Sequence, residues 1–243
     1  MPAPATPLSV DAIVSAAVAI ADSDGLDAVS MRRVAAAFEV SAMALYRHVD
    51  DRDALLFLMA GAAVRDFPLL PTSDASWREL LVHMADANWG SFEAHPWLLR
   101  IVLTPDRLLN MATLDQLETL LGKLHDAGLP LDECFDCLLG ISALAIGAAS
   151  IVFAANPGKP EPRNPHTEST ETGRTGRVID GWSADARSTH PIAARFHERG
   201  ITRTSTHRAL DFTVQNFLDG IELRIENFRT SPVHDAGQLK GKQ

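Results

Sequence analysis

The chain has 243 residues, 46% hydrophobic and 22% charged, with a formal net charge of −9. That length holds one large domain or two modest ones with a sizeable core, and the charged fraction excludes wholesale disorder. The acidic balance excludes a protein that coats nucleic acid by bulk charge. The 2 cysteines exclude a disulfide scaffold and, with no basic n-region or apolar h-region in Met1–Pro7, point to a reducing cytoplasm.

Met1–Pro7, with prolines at positions 2, 4 and 7, reads as a loose tail. Ser9 caps a helix over 10–22 whose Val10, Ile13, Val14, Ala17 and Ile20 share one face, and Gly25 ends the connection after it. Ser30 caps Met31–Phe38, where Met31, Val34, Ala35 and Phe38 recur at i, i+3, i+4 and i+7. Glu39-Val40 leaves only a tight turn before Ser41–Val49, a helix capped by Ser41 and too short to stand without its neighbours. Val40, Leu45 and Val49 are spaced to face inward. Ala42, Met43, Tyr46 and Arg47 are left outside, with His48 at the margin. Asp50 then caps a helix over 51–66, with Asp53 in capping-box position and Leu55, Leu56, Met59 and Ala63 as its inward stripe. Pro68 and Pro71 close an N-terminal domain spanning 1–66.

Ser76-Trp77-Arg78-Glu79 is a second capping box, opening a helix to Ala94 with Leu80, Leu81, Met84 and Phe92 as core candidates. His95-Pro96-Trp97 breaks the chain and restarts it into a short segment ending near Thr104-Pro105. A helix over 106–127 stops at Gly128, and another runs over 131–155 until Asn156-Pro157-Gly158. Leu138–Ala155 is about long enough for a bilayer but lacks flanking basic anchors, so it reads as a buried helix and no membrane is expected. Residues 157–187 read as a long mobile loop, followed by a short helix at 191–199. The final helix, 205–229, is apolar on more than one side: Leu210, Phe212, Val214, Phe217, Leu218, Ile221, Leu223, Ile225 and Phe228. Such a helix should bury one face on its own subunit and one on a partner copy. The tail, 230–243, is polar and reads as disordered. No segment alternates as a strand does, so the fold class is all-α.

Two short helices joined by a tight turn form a helix-turn-helix, whose second helix enters the DNA major groove. Many short helix pairs bind no DNA, so the side chains matter. Small residues at Ala42 and Ala44 let a backbone approach a surface closely. Tyr46 (the only tyrosine), Arg47 and His48 can donate to phosphates or base edges. Residues 1–66 carry five arginines against nine acids, a net of −4, so a DNA reader here must cluster its positives. Arg32, Arg33, Arg47 and Arg52 do fall near the reading helix. Elsewhere, Cys134-Phe135-Asp136-Cys137 has CxxC spacing without the second ligand pair that a structural zinc needs, so both thiols read as core. His83, His95, His125, His190 and His197 form no HxxxH or HExxH pattern, and no phosphate loop or GxSxG occurs.

Leu45–Leu56, read Leu-Tyr-Arg-His-Val-Asp-Asp-Arg-Asp-Ala-Leu-Leu, and Val29–Ala35 resemble the signature of the tetracycline-repressor (TetR) family of bacterial transcription regulators. The similarity is strong over about 8–66. It continues in Ser76–Glu79 and Asp126–Leu129, which resemble the ligand-binding half of the tetracycline-repressor branch. The resemblance implies a DNA operator, a small-molecule effector and a homodimer. It places drug-contacting polar positions at Met84 and Asn88, and the two metal-ligand positions of that branch at Val102 and Ile151. Neither Val nor Ile can hold Mg²⁺. A metal-free, largely apolar ligand with Asn88 and Gln116 as polar handles therefore suits the chain better.

The expectation is an all-α regulator with a helix-turn-helix domain at 1–66 and a ligand-binding and dimerisation domain at 67–229. Ser30, Arg32, Ala42, Met43, Ala44, Tyr46, Arg47, His48 and Arg52 are its DNA contacts. Met84, Asn88, Phe92, Val102, Gln116, Leu120 and Phe135 line its ligand site. No catalytic residue, cofactor or metal is expected. A small all-α enzyme and a ligand-independent DNA-binding activator are the competing readings.

Overall fold

The computed structural model describes residues 8–68, 74–103, 114–153, 188–198 and 206–230. Every regular element among them is helical: α1 Val10–Asp24, α2 Met31–Ala36, α3 Ala42–Leu45, α4 Arg52–Ala63, α5 Trp77–Ala94, α6 Leu98–Val102, α7 Leu114–Ala127, α8 Leu131–Phe153, α9 Pro191–Glu198 and α10 Thr206–Thr230, with a 3-10 turn at Leu26–Ala28 between α1 and α2. The all-α expectation stands. The expected mobile loop at 157–187, the tails at 1–7 and 231–243, and the first turns of the helix placed at 106 lie outside the described residues.

The caps explain most boundaries. Ser9 accepts from the Ala12 amide and Ser30 from the Arg33 amide, each satisfying an orphan donor of a first turn. The Ser76–Glu79 capping box forms in full, with the Glu79 carboxylate accepting from the Ser76 amide at 2.9 Å. Three local expectations are corrected. Asp51, not Asp50, caps α4, accepting from the Ala54 amide at 2.7 Å, so Asp53 is one residue short of capping-box position. Ser41 occupies the N-cap of α3 but makes no side-chain cap bond. Val40 is 37% exposed rather than inward, because it lies in the turn and not on the helix.

α1 and α4 pack together and carry α2 and α3, with Ile13, Ala17, Val34, Leu45, Leu55 and Met59 buried between them. α5 and α8 form the most extensive pairing in the sensor half, and α7 and α10 close over both. α6 touches α4, α5 and α8, and so joins the two halves. One continuous apolar core runs through both.

The long helix α8 was expected to be buried, and the single chain corrects that. Only 28% of its most apolar window is covered, although length and composition alone would let it cross a membrane. Cys134, Ile141, Ala145 and Ala149 face the core, while Ala143 and Gly147 are exposed and Ile151 is 75% exposed. On α10, Leu210, Val214, Leu218, Ile221 and Ile225 are buried, while Phe212 is 72% and Leu223 62% exposed.

Candidate nucleic-acid interface and sensor core

α3 is only four residues long, and local structure cannot hold it. Leu45, fully buried, and Val49 pin it into the apolar core, with α2 as its main neighbour. The turn that delivers it closes by two backbone bonds, Glu39 N–H to Ala36 C=O and Val40 N–H to Ala35 C=O, both 3.2 Å. These are the two bonds of a Schellman ending, whose penultimate position needs the left-handed backbone. Glu39 supplies it at φ 56°, the one non-glycine residue with positive φ among those described.

With α3 anchored on its inner side, its outer side is open. Met43 is 72% and Tyr46 45% exposed, Arg47 and His48 are exposed, and Ala42 and Ala44 are half-buried. Met43, Tyr46, Arg47 and His48 are thus open to solvent, while Ala42 also packs against the core. Arg32 is exposed on α2 beside them. Two other predicted contacts have structural duties. The Ser30 oxygen is the α2 cap. Arg52 donates Nε–H to the Val29 carbonyl at 3.2 Å and a terminal N–H to the Leu26 carbonyl at 3.4 Å, tying α4 to the 3-10 turn. This guanidinium braces the head while the residue stays exposed. Arg33, likewise, pairs with Asp24.

The head is held to the sensor by two acids. One oxygen of Asp22, near the end of α1, accepts from Trp97 Nε1–H at 2.6 Å and meets His95 Nδ1 at 2.7 Å. Asp27, in the 3-10 turn, takes both arms of Arg100 at 2.9 Å, and that hydrogen bond and charge hold its carboxyl below the usual range. Against Trp97 and the Asp27–Arg100 pair lies a cleft of about 350 Å³, walled also by Leu26, Leu99, Leu103 and Phe153. Sequence reading missed this junction, since 73 and 75 residues separate Asp22 from its partners.

In the sensor, Met84, Phe92, Val102 and Leu120 are buried in the shared core, while Asn88, Gln116 and Phe135 are half-buried. Phe135 was placed among the lining residues and is the one apolar member not fully enclosed. Both cysteines are buried and free. Burial pushes the Cys137 thiol up to about 11 and raises Cys134 as well, so neither is a ready thiolate. Trp89 lies between Phe153, 5.2 Å away, and His207, 5.4 Å away and edge-on. His207 in turn sits between Asp86 and Asp211, a convergence that the sequence reading did not find.

A helix-turn-helix head whose second helix presents an open polar face, on an all-helical core, defines a DNA-binding regulator. Comparisons with known proteins agree. Residues 13–59 match the bacterial regulatory proteins of the tetR family, and residues 69–225 match the tetracyclin repressor-like C-terminal domain. The chain is 30% identical over 237 residues to the HTH-type transcriptional repressor DrrR1 of Streptomyces coeruleorubidus, covering 93% of this chain and 82% of that protein. It is 25% identical over 240 residues to the tetracycline repressor protein class E of Escherichia coli, covering 95% and 99%. The crystal structure of the Streptomyces coelicolor TetR family protein ActR in complex with actinorhodin shares the fold, with a TM-score of 0.68 at 23% identity over 90% of this chain and 99% of that one. The chain belongs to the TetR family and is a helix-turn-helix transcriptional regulator.

Proposed function

We propose that this regulator is a homodimeric repressor that binds a palindromic operator and releases it when a small, largely apolar molecule enters the sensor core. The observation that carries the reading is the outer side of α3, where Met43, Tyr46, Arg47 and His48 are exposed above a buried Leu45, with Ala42 and Ala44 half-buried beside them. Arg47 would read base edges, with Tyr46, His48 and Arg32 on phosphates. Residues 1–66 are the reader, and 67–229 the sensor and dimerisation unit.

The outer strip of α8, at Gly140, Ala143, Gly147 and Ile151, lies on one side of that helix, and Phe217 of α10 packs over Gly140 beside it. A second copy covering this strip fits better than lipid, because Glu133 at the start of α8 pairs with Arg224 and α8 is flanked by charged helices. Two copies would set their α3 helices about 34–36 Å apart, one turn of DNA. A ligand favouring another spacing would weaken operator binding only as far as its affinities for the two states differ. Val102, buried on α6, and Ile151, exposed on α8, offer no oxygen for a metal–tetracycline complex, which supports an apolar ligand held without a metal, with Asn88 and Gln116 as handles. The relatives with curated names are transcriptional regulators, in keeping with a cytoplasmic protein that carries no catalytic role.

The test begins by selecting DNA from a random pool with the wild-type protein. Arg47→Ala should then bind the selected site about 1–3 kcal/mol more weakly and lose preference at one base position. Equal affinity and equal preference would remove Arg47 from the reading role and α3 with it.

A further inference from the structure

Outside the head and the sensor core, one cluster of ligating side chains stands apart among the described residues. His207 and Asp211 lie one turn apart on α10, the spacing at which two side chains of one helix reach a common point. Asp86 of α5 meets them from across the seam. Imidazole Nδ1 lies 3.2 Å from the Asp211 carboxylate and Nε2 3.6 Å from that of Asp86. One ligand atom from each residue can be chosen so that all three lie within 4.8 Å of one another.

We infer that Asp86, His207 and Asp211 form a surface site for a single divalent transition-metal ion, with zinc as the reference ion, joining the start of α10 to α5. Zinc bonds of about 2.0–2.2 Å in a tetrahedral set place neighbouring ligand atoms about 3.4 Å apart. The 3.2 Å contact already has that separation. A single ion uses one imidazole nitrogen, so the third ligand closes in from at most 4.8 Å, a side-chain rotation on the surface. The donor set selects the class of ion. One imidazole with two carboxylates suits zinc, cobalt or nickel, whereas magnesium and calcium take oxygen sets. Two acids against one imidazole leave a deficit of positive charge that a dication fills. The three side chains are about half exposed, 52%, 43% and 52%, so water can complete the coordination and the ion can enter. Trp89, edge-on to the His207 ring, holds the imidazole from its other side and reports on it. This site is separate from Val102 and Ile151, and it stands whether or not the effector is apolar.

The test uses the full-length protein, first treated with chelator and then titrated with zinc chloride by calorimetry, with cobalt(II) absorption and tryptophan fluorescence followed in parallel. The expected result is one ion per chain, reversed by chelator, with a change in tryptophan emission. Asp86→Asn, Asp211→Asn and His207→Gln should each weaken zinc binding more than a hundredfold, beyond the 10–100-fold range that merely supporting residues reach. Asn keeps the volume of Asp, and unchanged circular dichroism of the variants establishes folding. Cys134→Ser/Cys137→Ser should leave zinc binding as it was. No saturable binding would overturn the inference. So would zinc affinity retained in His207→Gln, or lost only in the double cysteine variant. A variant that lowers thermal stability equally with zinc and with chelator would also overturn it, reducing the cluster to a histidine held between two carboxylates.

Discussion

The junction between head and sensor turns on one carboxylate, and removing it should cost more than an exposed charge normally does. Trp97 is 4% exposed, and its only polar atom donates to Asp22 at 2.6 Å. Asp22→Ala leaves that indole N–H buried beside a methyl group. A buried donor without a partner costs about 1–3 kcal/mol, and a hydrogen bond to a charged acceptor contributes about 1.5–3 kcal/mol. The loss of the His95 contact adds to this, so about 2–3 kcal/mol of unfolding free energy should disappear. Trp97→Phe removes the donor instead and leaves a partly solvated carboxylate that keeps His95. The double variant should then lose less than the sum of the two, with a coupling of about 1–2 kcal/mol. Asp27→Ala is the control. It breaks a two-armed pair with Arg100, but those side chains are 82% and 52% exposed, and solvent replaces what is lost. The measurement is urea denaturation followed by far-ultraviolet circular dichroism, which does not depend on the tryptophan being mutated. If Asp22→Ala and Trp97→Phe add within about 0.5 kcal/mol, the hydrogen bond does not join the two halves.

Glu39→Gly should raise the urea midpoint, with a gain of about 0.5–1 kcal/mol, because it relieves the left-handed backbone cost at φ 56° by more than it frees the unfolded chain. Glu39→Ala, which keeps the Cβ, should change little. Ile151→Asp and Phe217→Asp should turn a micromolar dimer into monomers in sedimentation, since each would place a charge in a dry interface at several kcal/mol. A wild-type protein that sediments as a monomer would refute that interface. The Cys137 thiol titrates near 11 in the folded chain against 9.0 when unperturbed. The folded state therefore holds this proton more tightly, so its stabilising contribution is complete below pH 9 and is lost as pH rises towards 11. Cys137→Ala should flatten the stability profile in that window, and an unchanged slope would show the thiol to be solvated.

Much of the fold was legible because its signals are local. Ser9, Ser30 and the Ser76–Glu79 box act within one turn, so the residues that start α1, α2 and α5 could be read directly. Periodicity likewise marked Leu45, Val49, Leu55 and Met59 as inward, and they are buried. The outer residues of α3 follow by subtraction, since what is not inward on so short a helix faces solvent. Where two neighbouring residues offered the same chemistry, the choice was lost: Asp50 and Asp51 are equally good caps on paper, and the backbone entry to α4 selects Asp51.

What the sequence determined by itself, then, was the helical class, the order of the elements and the surface of α3, all set by spacing of four residues or fewer. What only the tertiary structure decided were the pairings across distance. Arg52 counts as a free cation until the carbonyls of Leu26 and Val29 are seen to lie under its fork. Asp22 becomes the clamp on Trp97, and Asp86 meets His207 and Asp211, only because packing of α6 on α4 and of α10 on α5 sets those side chains together. Local rules cannot supply such contacts, because a side chain's partner across 23 to 121 residues depends on where the buried faces put the helices, and burial is non-directional until the whole core is assembled.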